Sequence, residues 1–463
     1  MYLIFDTETT GLPRDWNAPI TDSDNWPRAI QIAWQLHDDM GNCVDHQDYL
    51  IQPQGFDIPF DAERIHGIST ELAQRDGLPL ADVLVKFKNA LDSAKFIVGQ
   101  NVGFDVNIMG AEFHRLDISN QMAEMPVLDT CTETTAQLCQ IPGGRGGKFK
   151  LPTLTELHEY LFNQPFAEAH NATADVEATT RCFFELIRRR IFTIEELDVP
   201  ANYFEEFSRE NPQPIEFIGL KHINLKAASD EIRKELQKAE GGEISHEEIK
   251  ENKEQMKEVD FAHLHNHSQF SILQSTASVQ DIVNAAIAKK MPAVGLTDMG
   301  NMMGAFHFVK AIMGHNASAK KKNEELKAQS EAPTETIVKP VVGIELNVCQ
   351  DRTNKSQKDN GFQIVFLAKN KKGYHNLAKM ASIAYTEGFY YVPRIDREVV
   401  ERYKEDIIVL TGNLYGEVPS KVLNVGEKQA EEALLWWKET FGKDLYIEIM
   451  RHGQEDEDRV NQT

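Results

Sequence analysis

Two carboxylates stand two residues apart at the end of an apolar segment that begins the chain. Asp6 and Glu8 follow Tyr2-Leu-Ile-Phe. Because successive side chains of a β-strand alternate between its faces, a strand here would direct both acids to the same side. Two acids on one face repel each other and are costly to desolvate unless a cation lies between them. The pair alone also fits a solvated strand end, so its chemistry depends on what the rest of the chain supplies.

Two further acidic positions appear downstream. Asp105 follows a predicted buried strand at Phe96–Val98 and a turn rich in Gly and Asn, at the start of a predicted helix. Asp175 belongs to the segment His170-Asn-Ala-Thr-Ala-Asp175, and the residues after it have the periodicity of an amphipathic helix through Ile187. His170 and Asp175 can share a site only if His170 lies in the loop before this helix. His170 alone fits a capping or surface histidine equally well.

The order of these motifs resembles the DEDDh family of 3′→5′ exonucleases, and in particular its proofreading, epsilon-like members. The resemblance covers about residues 1–190 and includes the stretches Ile65-His-Gly-Ile-Ser69 and Leu151-Pro-Thr-Leu154. Gln100 stands where the family often has a histidine, at a position that is not a metal ligand. The fold that this family implies is a ribonuclease H-like α/β domain, a mixed sheet flanked by helices. The five matching polar positions are Asp6, Glu8, Asp105, His170 and Asp175.

The chemistry that these residues would perform follows from charge. Cleavage of a phosphodiester needs an activated water and a charge that stabilises the leaving oxygen, and two divalent ions about 4 Å apart supply both. Hard cations such as Mg²⁺ prefer carboxylate oxygens and keep some water ligands. A cluster of four acids without a cysteine ligand suits Mg²⁺ or Mn²⁺ better than Zn²⁺. We therefore expect two ions of Mg²⁺ or Mn²⁺ in this domain.

The resemblance implies a role for each site residue. His170 would be the general base, because the titration range of imidazole suits the deprotonation of water near neutral pH. Leu12 and His66 would contact the terminal nucleotide, and both also fit plain packing or turn roles. Asp6 would bridge the two ions, and Asp105 would assist through water. The ligands of the first ion would be Asp6, Glu8 and Asp175.

Composition and charge restrict the class of protein. The chain has 463 residues with 41% hydrophobic content, enough for two or three domains. It lacks an apolar run of about 18 residues and a signal-peptide pattern, and its five cysteines have no C-x-x-C spacing. We therefore expect a cytoplasmic bacterial enzyme in a reducing compartment, without a membrane partner. The same cysteine spacing argues against a zinc knuckle or a disulfide framework.

The net charge of −23 is unusual for a protein that binds DNA. Two interpretations are open: the chain holds only a few nucleotides of a single strand, or a basic DNA channel lies elsewhere in a larger assembly. Arg145, Lys148 and Lys150 lie in a Gly-rich loop and could contact phosphates. The run Arg188–Arg190 is better explained as a helix C-terminus that complements the helix dipole.

The composition changes between residues 193 and 258. A short helix near Phe204–Phe207 and an extended Pro segment precede a stretch rich in Glu and Lys from Asp230 to Asp260. We expect an acidic linker with short helices over 193–258, in which the stretch from Asp230 to Asp260 is solvated rather than packed. This places an exonuclease domain at 1–192 and a second domain at 259–463.

The second domain opens with three alternating histidines. On a strand, His263, His265 and His267 would share one face, which favours a metal or phosphate site. The segments after them alternate as helix, buried strand and buried strand, the second strand ending at Glu345, and this alternation is typical of a barrel-like β/α sheet. A polar loop from Asn316 to Glu335 is expected to be an exposed insertion.

These segments resemble the PHP domain at the start of bacterial DNA polymerase III alpha subunits, and the stretch Gly388-Phe-Tyr-Tyr391 is its most specific feature. His265, His267 and Glu345 match ligand positions of the family's polynuclear metal centre. The last acid/His motif of the family would lie beyond Thr463. Amides and a thioether bind such metals poorly, so we expect an incomplete PHP domain that has lost its metal-dependent activity and serves as a scaffold. The ligand positions that do not match are Gln274, Met299, Gln363 and Asn413.

The two resemblances together predict a proofreading exonuclease at the start of a longer polypeptide. It would remove mispaired nucleotides from a single-stranded or frayed DNA 3′ end, in cis with a DNA-directed DNA polymerase domain, and would meet the sliding clamp and other replisome subunits. Three alternatives are open: an active PHP phosphoesterase, a non-catalytic interaction module, and a stand-alone exonuclease that acts on RNA. The complete four-acid site weighs against the second, and the fused PHP segment weighs against the third.

Overall fold

The chain forms two compact units, Met1–Gly242 and Glu243–Thr463. The structure is a computed structural model that describes residues 1–164, 166, 171–220, 223–239, 259–356 and 358–463. Each unit has its own buried apolar clusters. Among the helices in these described ranges, none is long and apolar enough to cross a membrane.

The first unit is built on a five-stranded mixed sheet. Its strand order is β3-β2-β1-β4-β5, in which β1 pairs antiparallel with β2, and β4 pairs parallel with both β1 and β5. This confirms the predicted mixed sheet and the predicted strand before Asp105. The strands are β1 Tyr2–Thr9, β2 Ala29–His37, β3 Cys43–Leu50, β4 Phe96–Gly99 and β5 Val127–Asp129.

Helices cover both faces of this sheet. Alternation along β1 sends Phe5 into a cluster with Phe87 of α3 and Phe113 of α4, and sends Tyr2 into a cluster with Phe183 of α7 on the opposite face. The helices are α1 Phe60–His66, α2 Thr70–Asp76, α3 Leu80–Ser93, α4 Gly103–Arg115, α5 Glu133–Cys139, α6 Leu154–Phe162, α7 Ala172–Arg188, α8 Ile194–Leu197, α9 Tyr203–Glu210 and α10 Leu225–Ala239.

Helix α7 is buried on nearly all sides, although its sequence pattern is amphipathic. Its polar face is covered by the chain that follows it. The guanidinium of Arg181 lies 4.1 Å from the ring centre of Phe162 and 4.4 Å from that of Phe217. The Glu177 carboxylate accepts the backbone N–H of Gly219 at 2.9 Å. The residues after 192 therefore complete the first unit.

The short helices expected over 193–258 are present in the described part, 193–239, but the expectation of solvation from Asp230 onward is wrong for residues 230–239. Tyr203 and Phe207 are buried in the cluster against α7. In α10, Ile232 is buried, and the guanidinium of Arg233 donates to both carboxylate oxygens of Glu63 at 2.5 and 2.6 Å. The polar composition misled the prediction, because α10 buries one apolar stripe and pairs its charges. Residues 240–258 lie outside the described residues.

The second unit contains a six-stranded mixed sheet. Its main path is β11-β10-β8-β7-β6, and β9 pairs with β7. The path does not close on itself, so the sheet is barrel-like in its alternation of strands and helices without being a closed barrel. The strands are β6 Ala293–Leu296, β7 Lys339–Cys349, β8 Phe362–Ala368, β9 Arg394–Asp396, β10 Ile407–Leu410 and β11 Leu445–Tyr446.

The predicted loop from Asn316 to Glu335 is mostly helical. The helix Ala305–Ala328 includes its first part, and the buried Asn316 side chain forms two hydrogen bonds with the backbone of Val338, at 2.7 and 2.9 Å. Polarity suggested a loop, but Lys, Glu and Ala favour a helix. The helices of this unit are Val279–Ala288, Ala305–Ala328, Lys371–Thr386, Arg397–Tyr403, Glu417–Asn424, Glu427–Phe441 and Glu455–Gln462.

Candidate metal sites

Strand β1 places two acids beside an unpaired stretch of its own edge. Asp6 lies opposite Ala33 of β2, and Glu8 lies opposite Gln31. On its other side β1 pairs with β4 only from Tyr2 to Ile4. Among the described residues, no strand therefore pairs with this edge of β1 beside the two acids, which leaves room there for groups from other elements.

Asp105 occupies this edge. Its carboxylate Oδ1 accepts the backbone N–H of Thr7 at 3.0 Å and the Thr7 hydroxyl at 2.6 Å. Asp105 lies in the first turn of α4, where the positive end of the helix dipole favours an anion, and it is buried. Thr7, which lies between Asp6 and Glu8, thus fixes the carboxylate of Asp105, the third acid of the predicted set.

The turn before α4 depends on Asp129, which the sequence analysis did not identify. Its carboxylate accepts the backbone N–H groups of Asn101 at 2.8 Å, Val102 at 3.2 Å and Cys131 at 2.7 Å. Asn101 has φ 57, a left-handed conformation that needs such support. The available signal was an acid at the end of an apolar strand, Val127-Leu-Asp129.

Helix α7 brings the fourth acid to the same place. Asn171 caps its N-terminus by accepting the Thr173 N–H, and Asp175 lies in its first turn. Asp6, Glu8 and Asp175 each offer a carboxylate oxygen, and these oxygens lie within 4.8 Å of one another. Three of the predicted ligands therefore converge, and the fourth, Asp105, is tied to the strand that carries two of them.

Burial, together with neighbouring acids, raises the pKa values of Asp6, Glu8 and Asp105. Burial, followed by the charges of Asp105, Asp175 and Glu8, raises the pKa of Asp6 well above its usual range. Burial and the charges of Asp175 and Asp105 raise the pKa of Glu8 to about 8. Burial raises the pKa of Asp105 to about 7, against the opposing effect of the Thr7 hydrogen bonds. Such a group of oxygen ligands fits hard divalent cations, whose charge would relieve the repulsion.

The remaining predicted site residues differ in what the structure says of them. His170 lies outside the described residues. Leu12 is 72% exposed in the loop after β1. His66 is buried at the end of α1, where its Nδ1 accepts the Ile68 N–H at 3.0 Å. Their contact with a nucleotide stays a prediction.

The basic residues of this unit are mostly engaged with acids. Lys148 pairs with Glu133, and Lys150 lies 2.7 Å from Glu156. The side chain of Arg145 lies outside the described residues. In the run at the end of α7, Arg188 and Arg189 both pair with the buried carboxylate of Glu185, at 2.7 and 2.6 Å. The explanation of this run as a helix terminus is confirmed.

A second cluster surrounds Glu345, which is fully buried in the middle of β7. Its Oε2 lies 2.8 Å from Nε2 of His267, and its Oε1 lies 3.5 Å from Nε2 of His265. These three side chains offer ligand atoms within 4.8 Å of one another. The predicted association of His265, His267 and Glu345 is thus present in the fold.

His263 does not join this cluster, contrary to the expectation for a regular strand. It is exposed, and its ring contacts Phe261 at 4.8 Å between centroids. Residues 261–268 do not form a regular strand; Asn266 donates side-chain hydrogen bonds to the carbonyls of His263 and Gly295, both at 3.1 Å. The alternation on which the prediction depended is therefore lost before His265.

Glu448 is a member of the cluster that the sequence analysis did not assign. Its Oε1 lies 2.8 Å from Nδ1 of His265. Burial opposes protonation of His265, but hydrogen bonds with Glu345 and Glu448 outweigh it and raise the pKa of His265 to about 9. The same contacts lower the pKa of Glu345 against the effect of burial. The imidazole of His265 thus has a carboxylate beside each of its ring nitrogens, Glu345 at Nε2 and Glu448 at Nδ1.

Two of the four positions that depart from the PHP pattern are hydrogen-bonded to each other. Asn413 Nδ2 donates to Gln363 Oε1 at 3.0 Å and lies 3.4 Å from Glu345 Oε1. Gln274 is exposed, and Met299 is half-buried. His452 and Glu457, 2.5 Å apart, line a cavity of about 470 Å³ beside His265 and His267.

Two family matches divide the chain. Residues 3–183 match the Exonuclease family, and residues 263–452 match the PHP domain family. The chain is also similar to DNA polymerase III subunit alpha of Borreliella burgdorferi, 38% identical over 206 residues, and of Thermus aquaticus, 37% identical over 209 residues. Each alignment covers 44% of this chain, but only 16% and 15% of those much longer relatives.

Solved structures of exonuclease I also match. The complex of Escherichia coli exonuclease I with single-stranded DNA in its zinc-bound form is 22% identical, with a TM-score of 0.33, over 44% of this chain and 42% of the enzyme. A moderately thermophilic exonuclease I from Methylocaldum szegediense is 23% identical, with a TM-score of 0.33, over 41% of this chain and 40% of that enzyme.

Proposed function

We propose that this chain, which joins an exonuclease domain to a PHP domain homologous to DNA polymerase III alpha subunits, removes nucleotides from the 3′ end of DNA by metal-dependent hydrolysis. The observation that carries the proposal is the convergence of Asp6, Glu8 and Asp175 within 4.8 Å, with Asp105 fixed beside them. A cluster of mutually repelling, partly buried acids is unfavourable unless it binds cations.

The acids would hold two ions of Mg²⁺ or Mn²⁺. Asp6, Glu8 and Asp175 are the proposed ligands of the first ion, with Asp6 shared and Asp105 acting through water. When bound, such a pair of ions activates the attacking water and stabilises the leaving oxygen. His170 is the proposed acceptor of the proton from that water. Thr7 holds the Asp105 carboxylate in place through two hydrogen bonds.

The proposed biological role is proofreading in cis. A mispaired 3′ end frays more readily than a paired one, so a site that accepts single strands removes errors selectively. A covalent link to a polymerase domain raises the effective concentration of the two sites to roughly millimolar. The likeness to polymerase III alpha subunits supports this context, in which the DNA end, the polymerase domain, the sliding clamp and other replisome subunits of the bacterial cytoplasm are the proposed partners.

For the PHP domain we propose a scaffolding role. Asn413 and Gln363 are hydrogen-bonded to each other at positions where the PHP family has side chains that bind metal ions more strongly. The convergence of His265, His267 and Glu345 favours a second candidate, a residual metal-dependent phosphoesterase.

One assay separates these proposals. A 5′-labelled single-stranded DNA is incubated with Mg²⁺ or Mn²⁺ and the chain, its Asp6→Ala variant or its His265→Ala variant. Loss of 3′→5′ degradation in Asp6→Ala alone supports the exonuclease site. Degradation that survives Asp6→Ala and disappears in His265→Ala contradicts it and assigns the activity to the PHP cluster.

A further inference from the structure

One tryptophan of the chain is much more exposed than the others. Trp16, in the loop between β1 and β2, is 55% exposed, whereas Trp26, Trp34 and Trp437 are almost fully buried. A large aromatic ring in water forgoes a substantial hydrophobic gain, because burial of such side chains dominates core energetics. An exposed indole is therefore better explained by a ligand than by the fold.

Trp16 contacts the helix that carries Asp105. Its ring centre is 5.7 Å from that of Phe104, with the two planes at 47°. Phe104 directly precedes Asp105, whose carboxylate is bonded to Thr7 between the two acids of β1. The exposed Leu12 belongs to the same loop. A strand whose 3′ end lies at the acids would thus pass close to the indole face.

The loop that carries Trp16 is held in one conformation. The Asp15 N–H donates to Asn25 Oδ1 at 2.7 Å, and Asn25 Nδ2 returns a hydrogen bond to the Asp15 carbonyl at 2.9 Å. The indole N–H of Trp26 donates to the Pro19 carbonyl at 3.1 Å, and Arg115 donates to the Trp26 carbonyl at 2.6 Å. A ring presented by an ordered loop loses little entropy when a ligand binds.

We propose that Trp16 is a stacking platform for a base of the single strand near its scissile 3′ end. The inference rests on the proposed exonuclease function and adds a residue that determines specificity. The net charge of −23 weakens the general attraction of this chain for phosphates, so a base contact would add to its binding energy. Stacking on an aromatic ring tolerates every base and requires an unpaired one, which matches a site that accepts frayed ends.

The test measures binding in an Asp6→Asn background, so that DNA is not degraded. Trp16→Ala is expected to weaken binding of a short single-stranded DNA about 5- to 150-fold, the range that corresponds to loss of one base–aromatic stack. Trp16→Phe is expected to retain most of the affinity. Because Trp16 is the exposed indole, DNA should also quench its fluorescence, and the Trp16→Phe variant should lose that quenching.

A second set of DNAs, each with an abasic site at one of the last nucleotides, distinguishes stacking from a general defect. At the stacked position the abasic site should weaken binding to the Trp16 protein and have no further effect on Trp16→Ala. Equal abasic losses in both proteins at every position, or unchanged binding by Trp16→Ala, would overturn the proposal. A thermal unfolding curve for each variant shows that the loop substitution leaves the fold intact.

The proposed function is tested separately in the same series. Degradation of the unmodified DNA by the chain with intact Asp6 reports the exonuclease. If the abasic-site series shows stacking on Trp16 but the chain does not degrade DNA, the proposed exonuclease function is contradicted and the stacking proposal is not. If the chain degrades DNA and Trp16→Ala has the same KM, the stacking proposal is contradicted and the exonuclease function is not.

Discussion

The repulsion among the exonuclease acids predicts that Asp6→Asn stabilises the metal-free protein near neutral pH. Burial and the charges of Asp175 and Asp105 raise the pKa of Glu8 to about 8, from an ordinary value of 4.5. In the folded state Glu8 therefore keeps a proton that the unfolded chain releases. Stability is fully present below the unfolded pKa and is lost as the pH rises through the folded pKa.

The size of the loss of stability follows from the rise in the pKa of Glu8. At about 1.4 kcal/mol for each unit of pKa, Glu8 alone contributes at most about 5 kcal/mol to the loss of stability between about pH 4.5 and 8. Glu8 is partly exposed, so screening by solvent makes this an upper bound. Burial and the charges of Asp105, Asp175 and Glu8 raise the pKa of Asp6 itself well above its usual range. Replacement of its carboxyl by an amide removes the loss of stability that titration of Asp6 adds, and should flatten the dependence on pH.

The assay is hydrogen exchange in the presence of EDTA, corrected for the pH dependence of intrinsic exchange. Peptides from β1 and β2 are followed because these strands report the stability of the first unit alone. Asp82→Asn, which removes an exposed carboxylate from α3, is the matched control. Protection should fall from pH 5.5 to 8.5 in the parent and in the control, and fall less in Asp6→Asn. Protection that stays level or rises with pH in the parent would refute the reasoning.

Three further changes test other parts of the account. Thr7→Val removes the hydroxyl that binds Asp105 and should lower kcat about 10- to 100-fold without unfolding, measured by steady-state degradation of DNA and by circular dichroism. Glu448→Gln should lower the pKa of His265 from about 9, and NMR titration of the imidazole measures the change. Protonated His265 stabilises the fold fully below about pH 6.5, and this stabilisation is lost as the pH rises through about 9; Glu448→Gln should reduce it. Gln363→His should raise the Zn²⁺ content retained after dialysis, measured by metal analysis; unchanged content would contradict the account of the depleted PHP cluster.

Local patterns in the sequence predicted the elements that carry the exonuclease acids. Alternation along β1 placed Asp6 and Glu8 on one side, and the apolar run before Asp105 indicated β4. Helical periodicity indicated α7, although not its burial on nearly all sides. These features depend on interactions between residues close in sequence, and such interactions can be judged without knowledge of the fold.

Features that depend on distant partners were missed. The importance of Asp129 arises only because β5 lies parallel to β4 and ends beside the turn at Asn101. The association of Glu448 with His265 joins residues 183 positions apart. The packing of α10 was hidden by its polar composition, since Arg233 is stabilised by Glu63 from a distant helix.

The most direct test of the central claim is to locate the metal ions. Crystals of the full chain, soaked with Mn²⁺ and a nucleoside monophosphate as product, would be measured at the manganese absorption edge. We expect two anomalous peaks about 4 Å apart, with Asp6 between them and Glu8 and Asp175 on one of the ions. A single peak at these acids, or manganese found only at His265, His267 and Glu345, would contradict it.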